Sequence, residues 1–475
     1  MSIPNFLAAP VTVAAVLLLS ACESPQLRSV LQGSSVPVQP STSANNQKPS
    51  QPEQASLPEP AQDQSQTPSL IPYLTGQVPP KPQAVPGVQT PITPLATSET
   101  VRVALLVPLS GPNEKLGKAM LNAAQLALFD FPDTRFELLI HDTQGTPEGA
   151  VEAARFAIGD GASMILGPLL GPSVTAISPM ARAANVTVVG FSSDRTVTGD
   201  GIYTMGFFPE TEVERVVEFA RSKGSARFAA LAPSSPYGET VVEALRQSVY
   251  RMGGEVTRVQ FYDPRAGDFS PVVRELANYD RRRQALLSQR AELSEREDEV
   301  AVRALERLEK LQTIGEPPFD ALLLADGGER LLAIAALLPF YDVDPKKVRM
   351  LGTGQWDSAD LGSEPALSGG WHAGPPPEAR AEFVQQYQQV YGSVPPRLST
   401  LAYDATALAA VLARAETGPN FTAAALTAKS GFWGRDGIFR FLPDGSVQRG
   451  LAVLQIEPRS IKVISPSPEA FNELN

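Results

Sequence analysis

Between residues 101 and 193, short apolar runs alternate with stretches of helical apolar spacing, and this alternation limits the fold more than any other feature of the chain. RVALLVPLSG has the form of a buried strand and its loop, and LGKAMLNAAQLALFDF that of the helix that follows. ELLIHDTQG and PEGAVEAARFAIGDG repeat the unit, with Pro147 in the first helical turn, where a missing N–H costs nothing. In SMILGPLLGPSVTAISP, residues 163–179, a strand from Met164 to Leu166 stops at Gly167-Pro168, and a helix is expected to begin near Ser173 as its N-cap. NVTVVGFSS supplies a fourth strand. Strands that alternate with helices imply a doubly wound parallel α/β sheet with right-handed crossovers. Such sheets bind ligands beyond the carboxyl ends of their strands, and a helix start there can hold an anion, so Ser173 is a candidate binding residue.

A second series follows the first. ARFAALAP, GEVTRVQFYD, PFDALLLAD and KVRMLGTG are strands, separated by helices expected near residues 237–252 and 328–339. At 475 residues the chain exceeds one compact core, so two α/β lobes with a cleft between them are expected. The first lobe is placed at about residues 99–207 with returning segments after residue 372, and the second at about 208–371. Helices near residues 378–391 and 399–416 precede a hairpin, GIFRFLPDGSVQRGLAVLQI, turned at Asp444-Gly445.

The first 98 residues differ in character from the rest of the chain. Residues 7–19 are nearly all apolar and lead into Leu19-Ser20-Ala21-Cys22, which resembles a bacterial lipobox. The run is short for a membrane span, so residues 1–22 are expected to be a lipoprotein signal, with Cys22 lipidated and the protein anchored at a membrane from the periplasmic side. Cys22 is the sole cysteine, which excludes an internal disulfide. Residues 23–98 are rich in Pro, Gln, Ser and Ala and cannot bury a core; they are expected to form a tether whose full reach is on the order of 200 Å. A net charge of −11 argues against a nucleic-acid partner, because phosphate binding needs a basic surface.

PLSG at residues 108–111 with Gly117 after it, DTQGTPEGA at 142–150, the LGP corner with Ser173, and SSPYGE at 234–239 stand in one order on successive strand ends. In that order the chain resembles the leucine/isoleucine/valine-type periplasmic binding proteins from about residue 101 to 456. The resemblance implies a type I periplasmic-binding-protein fold that closes over an amino acid. It implies that a serine and free amides at the third strand end hold the ligand carboxylate; the matching position here is Gly171, with Ser173 close by. Ser192 and Ser193 match the second carboxylate loop, and Tyr237 the cleft tyrosine. The acidic residue implied after MLGTG, which would hold the ammonium, is replaced by Gln355, leaving Asp357 or Asp326 as substitutes.

Residues 280–312 are out of keeping with a plain solute receptor. RRRQALLSQRAELSEREDEVAVRALERLEKLQ has Leu286, Leu293 and Val300 at heptad spacing, continued by Ala304 and Leu311, with charge on the other faces. As one helix it would extend about 50 Å; as a hairpin it would pack along the lobe. Its exposed charges, Arg281, Arg282, Arg283, Glu292, Glu295 and Arg296, are candidate partner-docking residues. This insertion, taken with the lipobox, resembles the penicillin-binding protein activator lipoproteins. That resemblance implies a periplasmic protein, anchored at the outer membrane, that binds a peptidoglycan synthase and stimulates it. The alternative is the solute-binding lipoprotein of an importer for branched-chain or related amino acids. No catalytic motif, cofactor fingerprint or metal-ligand spacing is present, and His141 and His372 fit scaffold roles. The expected protein is therefore a binding protein and not an enzyme.

Overall fold

A computed structural model describes residues 100–415 and 418–471. The lipobox, Cys22 and the tether lie outside the described residues. The apolar runs of the first series form β1 (Val101–Val107), β2 (Phe136–Asp142), β3 (Met164–Leu166), β4 (Thr187–Gly190) and β5 (Ile202–Thr204). They pair in parallel in the order β2-β1-β3-β4-β5. The crossovers are α1 (Glu114–Asp130), α2 (Pro147–Gly159) and α3 (Gly171–Ala183). Alternation along β1 explains why both faces need cover: Val103, Leu105 and Val107 pack with α1, while Ala104 and Leu106 pack with α2 and α3.

The second series repeats this winding. After α4 (Pro209–Ser222) come β6 (Arg227–Pro233), α5 (Pro236–Arg251), β7 (Glu255–Tyr262) and α6 (Ser270–Leu276). The helical pair α7 (Tyr279–Ser294) and α8 (Glu299–Leu308) is inserted here, before β8 (Ala321–Leu324), α9 (Gly328–Phe340), β9 (Arg349–Gly352) and β10 (Trp371–Gly374). The parallel strands lie in the order β7-β6-β8-β9-β10. Both sheets therefore reverse direction beside their first strand, which opens a crevice at the carboxyl ends.

The chain then returns to the first lobe as α10 (Pro377–Tyr391), α11 (Ser399–Ala413), α12 (Ala423–Leu426) and a small sheet of β11 (Phe432–Gly434), β12 (Gly437–Phe441) and β13 (Val447–Arg449). Every residue of α11 is buried, as expected of a helix whose sequence, STLAYDATALAAVLA, is apolar or small all round. Asp444-Gly445 turns β12 into β13, with Gly445 at φ +84. The rest of the expected hairpin does not belong to it. β14 (Ala452–Glu457) crosses back and pairs antiparallel with β10, and β15 (Ser460–Ser465) follows, so the last strands cover an edge of the second sheet that would otherwise be open. No helix among the described residues is long and apolar enough to cross a membrane.

The insertion is a helical hairpin. Asp298 breaks it by accepting the Ala301 N–H at 3.0 Å and capping α8, so the heptad stripe never becomes one seam. Leu286 is buried, whereas Val300 is exposed. Arg282 is also buried, contrary to its expected docking role. Its guanidinium donates to the Gly315 carbonyl at 2.9 Å, to the Asp342 carbonyl at 3.3 Å and to Asp342 Oδ2 at 3.0 Å, which pins the hairpin to the loop after α9. Arg281, Arg283, Glu292, Glu295 and Arg296 stay on the surface, although Arg283 donates to the Gln312 carbonyl and Arg296 pairs with Asp298 at 2.8 Å. Arg282→Ala should lower unfolding stability by about 2 kcal/mol, because it strands these acceptors. Arg281→Ala should change stability by less than about 0.5 kcal/mol. Urea denaturation monitored by circular dichroism measures both.

Candidate functional site

The carboxyl ends of the two sheets face each other across a cleft of about 510 Å³. The first lobe lines it with Asn113 just before α1 and Leu116 within it, with Leu169, Leu170 and Gly171 at the corner after β3, and with Phe191, Ser192 and Ser193 after β4. The second lobe contributes Pro209 and Glu212 of α4, Tyr237 of α5, and Gly354, Gln355 and Asp357 after β9. Phe207, Pro375, Arg397 and Leu398 close the base, where the chain crosses between lobes.

On the first-lobe side, the corner is fixed by Gly167, whose φ is +96 and whose absent Cβ would lie 2.2 Å from the Leu106 carbonyl oxygen. Helix α3 starts at Gly171, two residues earlier than expected, because Gly171-Pro172 already adopts the first helical turn. Ser173 is therefore not a cap. It is buried inside the helix, outside the cleft lining, and its hydroxyl has no partner among the described residues. Ser192 does line the cleft, where its Oγ accepts the Asp194 N–H at 3.0 Å. Ser193 is an exposed lining residue. A Cβ at Gly171 would meet Asp194 Oδ2 and Ser192 Oγ, each at 3.2 Å, so the protein's own carboxylate stands at the start of α3.

On the second-lobe side, the Tyr237 hydroxyl bonds Thr353 Oγ1 at 2.7 Å, and burial raises its pKa. Gln355 occupies a short 3-10 turn, Gly354–Trp356, packed against Gly327. Neither expected substitute for the ammonium partner is free. Asp326 lies outside the cleft lining; it accepts from Arg330 at 2.8 and 3.0 Å and from Gly327 N–H at 2.8 Å, and is bonded by the Tyr262 hydroxyl. Burial acts to raise the Asp326 pKa, but the bonds from Arg330, Tyr262 and Gly327 outweigh it and hold the group below its ordinary value. Asp357 lines the cleft but pairs with Arg397 at 3.1 Å. His141 and His372 are not among the lining residues.

The acidic group in the cleft that the sequence reading missed is Glu212. Its residue is 6% exposed, and its Oε2 accepts the Gly354 N–H at 2.8 Å. Burial pushes its carboxyl up to about 7, against the lowering effects of the Gly354 bond and Arg397. PETEVERVVEFARS carried a usable signal: Glu212 stands four before Val216 and eight before Ala220, on the apolar stripe of α4 where a solvated charge does not belong. A carboxyl whose folded pKa lies above its unfolded value adds stability that is complete below the unfolded value of 4.5 and is lost as pH rises through about 7. Glu212→Gln removes that dependence. The variant should gain about 3 kcal/mol on wild type between pH 4.5 and pH 8, as measured by denaturation at the two pH values.

Comparison with known proteins agrees with this geometry. The sequence pattern of the family described as "Periplasmic binding protein" matches residues 100–460. An uncharacterised protein of Rickettsia prowazekii is 22% identical over 179 residues, covering 38% of this chain and 47% of that protein. Penicillin-binding protein activator LpoA of Photobacterium profundum is 25% identical over 189 residues, covering 38% of this chain and 30% of that protein. The chain thus covers less than half the length of these curated relatives. Leucine binding protein LivK of Thermotoga maritima superposes with a TM-score of 0.52 at 18% identity, over 78% of this chain and 99% of that one, which shows a shared fold.

Proposed function

The chain belongs to the periplasmic binding protein family, and from that premise we propose that it is a periplasmic lipoprotein that binds and activates a peptidoglycan synthase of the penicillin-binding class. The observation that carries this reading is the stretch of sequence likeness to penicillin-binding protein activators. In this reading Cys22 carries the lipid at the outer membrane, residues 23–98 give reach, and the two-lobed body makes the contact. The α7/α8 hairpin is the docking element. Its second helix holds Val300 at 74% exposure and Val302 at 48%, and apolar side chains left in water at such levels favour a protein partner. Exposed Glu292 and Glu295, at the end of α7 that leads into α8, supply polar groups on the same end of the hairpin, and exposed Arg281 lies at its other end.

One observation supports a second reading. The cleft is lined from both lobes, as a solute receptor requires, and would suit the binding component of an importer for amino acids or related compounds.

The two readings separate on the hairpin. The double variant Val300→Asp/Val302→Asp lies on the surface and leaves the cleft untouched. It should weaken binding to the cognate synthase at least about tenfold, measured by biolayer interferometry against the purified periplasmic penicillin-binding proteins of the same organism. Wild-type affinity in the double variant would remove the hairpin from the contact. Failure of every synthase to bind wild type would leave the solute-receptor reading in its place.

A further inference from the structure

We propose that the interlobe cleft is a binding site for a small organic cation, an amine with an apolar body and no carboxylate, with Glu212 as its acceptor. This rests on the two-lobed fold and is independent of any contact with a synthase.

Three observations converge on that ligand class. The first is an acceptor: Glu212 is more than nine-tenths buried, lines the cleft, and has one oxygen fixed by the Gly354 N–H while Oε1 has no hydrogen-bond partner among the described residues. A buried carboxyl with one oxygen open to a cavity can accept a charge-assisted bond from an ammonium or guanidinium. The second is the balance of charge around it. Glu212 and Asp357 are the acids of the lining and Arg397 its base, but Arg397 is held between Asp357 at 3.1 Å and Asp436 at 2.6 Å. No unpaired cation is left among the described lining residues to receive a ligand carboxylate. The third is the start of α3, the other place where an anion could be held. Asp194 Oδ2 and Ser192 Oγ stand 3.2 Å from the Cβ position of Gly171, so an incoming carboxylate would meet a carboxylate already in place. Leu116, Leu169, Leu170, Phe191 and Leu398 form the walls and suit an aliphatic or aromatic body.

Cation binding also has a proton signature. The charged and titratable groups facing Glu212 are Glu210 on its own helix, Asp357 in the loop after β9, Arg397 ahead of α11, and Tyr237 on α5. Because burial holds Glu212 near 7, an ammonium beside it favours the ionised form and expels a proton at acid pH.

The test is isothermal titration calorimetry on the whole protein with 3-methylbutylamine, 2-phenylethylamine and agmatine, alongside leucine and 3-methylbutanoate. At least one amine should bind saturably, while leucine should bind at least about tenfold more weakly and 3-methylbutanoate not at all. At pH 6 binding should release about one proton, read from heats in buffers of different ionisation enthalpy, and at pH 9 almost none. Glu212→Gln should lose at least about tenfold in amine affinity. Asp194→Asn, exposed and still able to accept the Thr196 N–H, keeps the proposal testable if Glu212→Gln folds poorly; it should gain affinity for leucine. Tighter binding of leucine or 3-methylbutanoate than of every amine, amine binding unchanged in Glu212→Gln, or no binding of any amine to wild type would each overturn the assignment.

Discussion

The two lobes meet at one cluster of charge, buried at Asp436 and Arg449, where the chain crosses between them. Arg397 reaches Asp357 of the second lobe at 3.1 Å and Asp436 of the small sheet at 2.6 Å, and the Thr400 hydroxyl donates to Asp436 at 2.6 Å. Phe207, on the first crossing, lies 4.6 Å from the Arg397 guanidinium and 4.6 Å from that of Arg449. Arg449, on the third crossing, donates to the Met205 carbonyl at 2.6 Å, which ties the first crossing to the last. Taking Asp436 out of water is costly, and its pairing with Arg397 offsets that cost while joining the small sheet to the start of α11. Asp404 extends the cluster into α11. Its carboxyl accepts the Arg435 N–H at 2.7 Å, and burial together with nearby Asp436 raises its pKa.

That cluster also determines what the cleft can offer a ligand. By neutralising Arg397 it withdraws the one cation among the described lining residues, and by holding Asp357 it withdraws an acid. Glu212 is left as the lining acid without a countercharge in contact, and Asp194 stands beside Gly171 at the start of α3. The hairpin proposed for docking is inserted between β7 and β8, and none of its residues lines the cleft.

Much of this architecture was legible in the sequence, because the period of apolar residues reports directly on which faces are buried. The runs around Val103, Ile165, Leu231 and Leu323 became central parallel strands. The corner at Gly167, the loop at Ser192 and the placement of Tyr237 and Asp357 in the cleft were legible for the same reason: each follows a strand end. What failed depended on contacts distant in sequence. Ala452–Glu457 looks like the continuation of a hairpin until β10 is seen to need a neighbour. Arg282 has the same local pattern as Arg281 and Arg283, and only the Gly315 and Asp342 carbonyls distinguish it. Ser173 resembles a cap until Gly171-Pro172 is seen to form the first helical turn ahead of it. Glu212 carries its signal in its helical phase, on the buried stripe of α4, and not in any motif.

The central functional claim is that the protein acts by raising the activity of a peptidoglycan synthase, and transpeptidation itself is the most direct test. Purified full-length protein would be titrated into the cognate penicillin-binding protein with lipid-linked peptidoglycan precursor, and the fraction of cross-linked muropeptides followed by chromatography. The account predicts that cross-linking rises and saturates near one molecule of activator per synthase. Cross-linking that stays at the level of the synthase alone across the whole titration would contradict it.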